Sequence, residues 1–301
     1  MKKATQVTLL AATVLSLISF DSAFASSSNS SNPNQKSIIS ADQIENIQET
    51  SDTSFHAAIQ IARNTSLYDH QDGTRKDGVD YLVVPSLKTF FGGFSAKIAY
   101  SQDLKDESTT ASDWTDIPVT FSLIPNKWEW SPPYILTLTP TLTAVAPLAK
   151  TSIQRDQLQT ALIAGVSFGL IPDGIAAQKD GAWNLAVGLT AGRNFHAYST
   201  DINGAVLNQY SSNQTLNVGY TYRQLSLSVE FIHKARWTYQ GNNKNSFEHT
   251  EEIGYGLTDH FSIALGHTNA GSTLKTNGSE SNVAVINEND SIVYAALGME
   301  F

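Results

Sequence analysis

The chain has 301 residues, a formal net charge of −9, no cysteine, and 41% hydrophobic against 16% charged residues. The acidic balance excludes nucleic acid as a partner, because neutralising phosphates takes a basic face. The lack of cysteine excludes disulfides as the means of holding an exported fold.

At the start, Lys2 and Lys3 precede an apolar run from Val7 to Phe20 and then Ala23-Phe24-Ala25. This three-part pattern predicts a secretory signal peptide over residues 1–25, cleaved after Ala25. Beyond it no run of eighteen apolar residues occurs, so any membrane crossing is by strands rather than by a helix. Residues 26–53 are dominated by serine, asparagine and glutamine with no aromatic residue, which predicts a flexible periplasmic segment. Within it, Ser40-Ala41-Asp42-Gln43 has the form of a capping box ahead of Ile44 and Ile47, which leaves open a helical turn or two that plugs a barrel mouth.

From Phe55 the texture changes to period two, and the domain expected over residues 54–301 is built from it. Phe55, Ala57, Ile59 and Ile61 alternate with His56, Ala58, Gln60 and Ala62 in a first strand. Tyr81 to Lys88 and Phe94 to Ser101 follow, with Gly92-Gly93 read as the tight turn between them. The fourth strand runs from Ile117 to Leu123. The fifth, Tyr134 to Thr143, sets a threonine ladder against leucines, and the three prolines between Ile124 and Pro133 leave the intervening turn open by several residues. A sixth strand, Ala161 to Leu170, ends at a Pro172-Asp173-Gly174 turn, and a seventh spans Trp183 to Gly192. The eighth, Leu216 to Arg223, turns almost at once into the ninth, Leu225 to Ile232. The tenth ends in Ile253, Tyr255 and Leu257, the eleventh carries Phe261, Ile263 and Leu265, and the longest loop, Thr268 to Asp290, precedes the last strand.

That last strand, Ser291 to Phe301, places Val293, Ala295, Leu297 and Met299 on one face and Tyr294, Ala296, Gly298 and Glu300 on the other. Ending a chain on an aromatic strand of this kind resembles the closing strand of Gram-negative outer-membrane β-barrels. The resemblance implies an outer-membrane location and recognition of the Phe301 strand by the barrel-assembly machinery. The fold class expected is therefore all-β, an up-and-down antiparallel transmembrane barrel of about twelve strands. Long polar loops are expected at one end and short turns at the other, with both chain termini periplasmic. Aromatics at the turn side (Phe91, Phe94, Tyr220, Tyr222, Tyr255, Phe261 and Phe301) would form an interfacial girdle. The surrounding partners are then outer-membrane lipids and lipopolysaccharide, and a monomer is expected.

In such a barrel the small and polar face lines the lumen. Its candidate lining residues are His56, Lys88, Lys97, His196, Arg223, Glu230 and Glu252, with Glu300 near the end. Charges of both signs line a wet channel for small solutes or lock the lumen shut, and inward Leu82, Val84, Ile135 and Ile163 favour occlusion or an apolar solute. Three function classes stay open: a passive channel, a structural or surface-binding barrel, and a lipid acyl hydrolase.

The last class rests on the wrong face of the wall. Continuing the alternation places Glu251 and His249 outward on strand ten and His267 and Asn269 outward on strand eleven, and pairing around the Thr258 to His260 turn sets Glu251 opposite His267. With His233 alongside, three histidines and a carboxylate would gather at the outer rim. Gly266-His267-Thr268-Asn269-Ala270-Gly271 faintly resembles the His-x-Ser-Asn segment of outer-membrane acyl hydrolases, but Asn269 stands where that family has its serine, and an amide is no nucleophile. Ser272 and Ser291 are substitutes unsupported by spacing, and a zinc or copper site is the other reading of such a cluster. The simplest is that these strands stand past the hydrocarbon. No phosphate-cradling loop, His-Glu-x-x-His zinc motif or nucleophile elbow occurs, so no catalytic residue, resident metal or cofactor is assigned.

Overall fold

Each expected strand is present, and most are longer than their periodicity suggests. The computed structural model describes residues 53–67, 77–104, 112–131, 134–172, 181–275, 278–287 and 290–301. The signal peptide, residues 26–52 of the polar segment with its capping box, and the turn at Asp173-Gly174 lie outside the described residues. In chain order β1 is Ser54–Ser66 and β2 is Asp77–Thr89. β3 comprises Gly92–Ala96 and Ile98–Asp103, and β4 comprises Ser112–Trp114, Ile117–Leu123 and Asn126–Ser131. β5 is Tyr134–Ala146, β6 Leu158–Pro172, β7 Ala182–His196 and β8 Asn208–Tyr222. β9 is Leu225–Thr238, β10 Asn243–Gly256, β11 Phe261–Ser272 and β12 Ile292–Glu300.

Each strand pairs antiparallel with its chain neighbours, and β1 pairs with both β2 and β12, which closes a barrel of 12 strands. Closure matters because an open edge would leave a row of backbone N–H and C=O groups unsatisfied in lipid. The terminal residue completes the seam: the Phe301 N–H donates to the Ala57 carbonyl at 2.9 Å, and the Ala57 N–H donates to the Phe301 carbonyl at 3.1 Å.

The distribution of side chains is the reverse of a soluble protein. Ile61, Val83, Val119, Leu142, Phe168, Leu185, Leu216, Val229, Ile253 and Leu297 are exposed on the outer wall, while Asn64, Thr137, Thr139, Ser167, Asn184, Asn213, Thr215 and Asn217 are buried on the inner one. Strand residues facing lipid are apolar and those facing the interior polar, the pattern of a transmembrane barrel.

Three local features differ from the sequence reading. The turn between β2 and β3 is Phe90-Phe91, and Gly92-Gly93 belong to β3. Their glycines answer to strand packing, since a Cβ on Gly92 would lie 2.3 Å from the Ser122 carbonyl of β4. The proline-rich stretch after Leu123 continues as strand. Ser122 pairs with Thr141 and Asn126 with Leu138, so β4 carries an extra residue there, and Pro125, which has no N–H to give a ladder, sits in this bulge. Lastly, β9 and β10 run on to Thr238 and from Asn243, where a long loop is expected. The start of β10, Asn243-Lys244-Asn245-Ser246, is polar on both faces and carries no alternation to read.

At the outer end, Asp116 accepts hydrogen bonds from the Leu148 and Ala149 N–H groups at 2.9 and 3.0 Å and from the Ser152 hydroxyl at 2.6 Å. These contacts hold the single helical turn Thr151–Arg155 against the rim.

Candidate functional site

The inner wall is lined by hydrogen-bonded side chains that run from strand to strand. On β2, Asp80 accepts from Asn64 Nδ2 of β1 at 2.7 Å and from the Ser101 hydroxyl of β3 at 2.6 Å. The Thr120 and Thr143 hydroxyls meet at 2.8 Å, as do those of Thr250 and Thr268. Arg236 Nη1 donates to Asn213 Oδ1 at 2.9 Å, Lys234 is ion-paired with Glu248, and the Tyr294 hydroxyl donates to Glu252 Oε2 at 2.6 Å across β11. Each of these contacts joins adjacent or next-adjacent strands, so they stiffen the wall along its circumference. Four inward polar atoms, Asn64 Oδ1, Thr139 Oγ1, Asn184 Oδ1 and Asn194 Oδ1, are buried without a partner among the described residues.

The residues expected to line the lumen take the following places. His56 pairs with Ser86 at the turn end, its Nε2 3.2 Å from the Ser54 hydroxyl. Lys88 pairs with Ser54 and Gly93, and Lys97 stands at the break in β3, where its N–H donates to the Pro118 carbonyl at 3.1 Å. Glu230 is buried between Asn217 of β8 and Thr250 of β10. His196 ends β7 at a bulge, with Nδ1 3.4 Å from the Tyr239 hydroxyl. Arg223 is a correction. It occupies the β8–β9 turn with φ of 54°, its guanidinium over the Tyr222 ring at 5.2 Å, because a two-residue turn takes it out of the alternation that would aim it inward. Asp80, Lys234, Arg236, Glu248 and Tyr294 join the wall unheralded. The parity of Asp80 and Tyr294 was available, but their partners lie on other strands, 16 and 21 residues away for Asp80 and 42 for Tyr294.

On the outer wall the expected pairing of Glu251 with His267 and of His249 with Asn269 is present. His249 Nε2 lies 3.0 Å from Glu251 Oε1, and His267 Nδ1 lies 3.8 Å from Glu251 Oε2. His233 does not join them. It pairs with Phe247, and its Nδ1 lies 3.0 Å from Gln214 Oε1, because the register sets Phe231 rather than His233 opposite His249. Asn269 Nδ2 donates to the Ala284 carbonyl at 2.6 Å, the Ser291 hydroxyl accepts the Asn287 N–H at 2.9 Å and the Ser272 hydroxyl accepts the Leu274 N–H at 3.4 Å, so these three groups serve loop geometry. Among the described residues no group of three or more His, Cys, Asp or Glu is placed to hold a metal ion.

The cluster marks the upper edge of the apolar belt. Along the outward positions Leu216 gives way to Gln214, Phe231 to His233, Ile253 to Glu251, Leu265 to His267 and Ile61 to Arg63. These changes on five different strands trace a polar rim, and Arg63 is paired there with Asp77 at 2.5 Å. Replacing Glu251 and His267 together with leucine is accordingly expected to leave the barrel folded, with stability unchanged or raised by about 1 kcal/mol, since exchanging a partly buried polar pair for packed apolar groups is neutral to favourable. A urea titration followed by heat-modifiability on gels measures this, and a loss of the folded form would show that the cluster holds the wall together.

No family model matches the chain, and no curated protein matches it in sequence. Solved structures do. The COG4313 outer membrane channel from Pseudomonas putida F1 matches over 82% of this chain and 95% of that one, with 11% identity and a TM-score of 0.50. A KdgM porin matches over 81% of this chain and 99% of its own at 10% identity, with a TM-score of 0.41. At these identities the likeness concerns fold: the chain has the architecture of an outer-membrane β-barrel.

Proposed function

We propose that this barrel sits in the outer membrane as a narrow channel for passive passage of small solutes. The observation that carries the proposal is the wall of inward polar groups, four of whose atoms have no partner among the described residues. Left dry, each such atom would cost about 1–3 kcal/mol, and water in the lumen removes that cost. The named side-chain contacts run along the wall between neighbouring strands, an arrangement that supports an axial path. A monomer inserted through its Phe301 strand, with lipid and lipopolysaccharide around the belt, completes this reading.

A second reading, a non-conducting structural barrel, is favoured by the inward apolar group of Val145 and Ala161 with Ile163 packed against them, and by buried Leu82. Planar-bilayer recording separates the two. The channel reading expects steady single-channel conductance, and Lys97→Glu should shift the reversal potential toward cation preference. A change of two charge units at roughly 8 Å in a water-like dielectric is worth about 1 kcal/mol, or roughly a fivefold change in permeability ratio. Silence at every voltage would assign the barrel to the structural class.

A further inference from the structure

The outer wall of β10 and β11 is covered by the chain itself. Phe247, Asn269 and Gly271 occupy outward positions by register, yet Phe247 is 1% exposed and Asn269 0%. Asn269 Nδ2 reaches the Ala284 carbonyl at 2.6 Å, and a Cβ on Gly271 would lie 3.5 Å from Asn282 Nδ2 and 3.6 Å from Asp290 Oδ2. Asn282, Ala284 and Asp290 of the connection after β11 therefore lie against the outside of the barrel. The course of this connection is pinned at both ends. The Asn282 N–H donates to the Thr273 carbonyl at 2.9 Å and Asn282 Nδ2 to the Ser272 carbonyl at 3.2 Å, while the Asn287 and Ser291 backbones are tied by the Asn287 N–H to Ser291 Oγ bond at 2.9 Å and the Ser291 N–H to Asn287 carbonyl bond at 3.0 Å.

Between those pins the sequence is Val283-Ala284-Val285-Ile286, and while the Ala284 carbonyl faces the wall, Val283, Val285 and Ile286 are exposed on the other side. By its bond to Asn269 this segment stands four residues above Leu265 on β11, where the apolar belt ends in an exposed side chain. Three adjacent β-branched or aliphatic side chains held outward cost free energy in water, roughly 25 cal/mol for each Å² of apolar surface left wet. Against hydrocarbon they cost nothing, and they replace at this point the polar outward column of His267 and Asn269.

We propose that residues 283–286 form a strap that dips into the outer leaflet and takes lipid acyl chains as its partner, carrying the apolar belt upward over β10 and β11 and sealing the rim cluster beneath it. The proposal rests on the reading of the barrel as a membrane protein, and the test separates the two. The chain has no cysteine of its own, so single cysteines accept a nitroxide label without background. Val285→Cys on the strap, Val187→Cys on the belt of β7 and Asn203→Cys in the loop after β7 are each labelled, checked for the heat-modifiable folded form, and reconstituted in phosphatidylcholine vesicles. Collision with oxygen is expected to exceed collision with a water-soluble nickel chelate at 187 and 285, and the reverse at 203. A label at 285 behaving like that at 203, with 187 still in lipid, overturns the strap alone. A label at 285 shielded from both reagents means that a second protein copy covers it, which overturns the lipid partner. A label at 187 in water overturns the membrane reading itself.

Discussion

Deleting Ile292–Phe301 is expected to abolish the folded barrel outright. Among the described residues β12 alone stands between β1 and β11, paired from Ala58↔Glu300 to Ser66↔Ile292 on one side and from Phe261↔Met299 to Thr268↔Ile292 on the other. Without it two strand edges face lipid, and each unsatisfied backbone group there costs several kcal/mol. The remaining eleven strands have no good way to close. β1 and β11 run in the same direction, so they would meet parallel in a sheet that is otherwise antiparallel, which is why such barrels use even strand numbers. No heat-modifiable band should form in detergent or lipid, and in cells the product should be degraded. Phe301→Ala is the graded version. It keeps the backbone bonds to Ala57 and removes an exposed ring, so refolding in detergent should stay near normal, while the proposed recognition of this strand by the assembly machinery predicts slower insertion in cells. A deletion product that still migrates as a folded barrel would overturn the first expectation. Equal effects in both settings would overturn the second.

How much of this was legible follows from what each feature depends on. The belt was legible, since period-two alternation is a property of one strand and survives without knowledge of its partners: Leu185 and Val187 outward and Asn184 inward are consequences of parity. The pairing of Glu251 with His267 was legible because the short Thr258 to His260 turn fixes a hairpin register. His233 was misplaced since its position depends on the far end of a hairpin whose second strand opens Asn243-Lys244-Asn245-Ser246, with no alternation to fix the register. The glycines show the deepest limit. On the inward face they suggest open space, but the ring of Tyr294 fills the gap over Gly266 and the amide of Asn184 fills that over Gly219. A gap and its occupant lie on different strands, and only the register brings them together.

That gap supplies the other large effect. The register 252↔266↔294 lays Tyr294 across Gly266 to reach Glu252, and a Cβ on Gly266 would stand 2.2 Å from Tyr294 Cζ and 2.3 Å from its hydroxyl. Gly266→Val is therefore expected to expel the tyrosine. The branched side chain cannot rotate out of the way, the ring must swing into the lumen, and the 2.6 Å bond to Glu252 is lost. Overpacking costs about 1–3 kcal/mol and loss of a hydrogen bond to a charged acceptor about 1.5–3, so a destabilisation of roughly 3–5 kcal/mol is expected in urea titrations. Tyr294→Ala removes the obstacle. The pair Gly266→Val with Tyr294→Ala should be more stable than Gly266→Val alone, a coupling that independent sites do not show. Tyr294→Ala by itself should also raise conductance, because it clears a ring from the wall of the proposed path. A valine at 266 tolerated at full stability, or a double variant destabilised by the sum of its parts, would show that Tyr294 does not occupy the space over Gly266 when the barrel is in lipid.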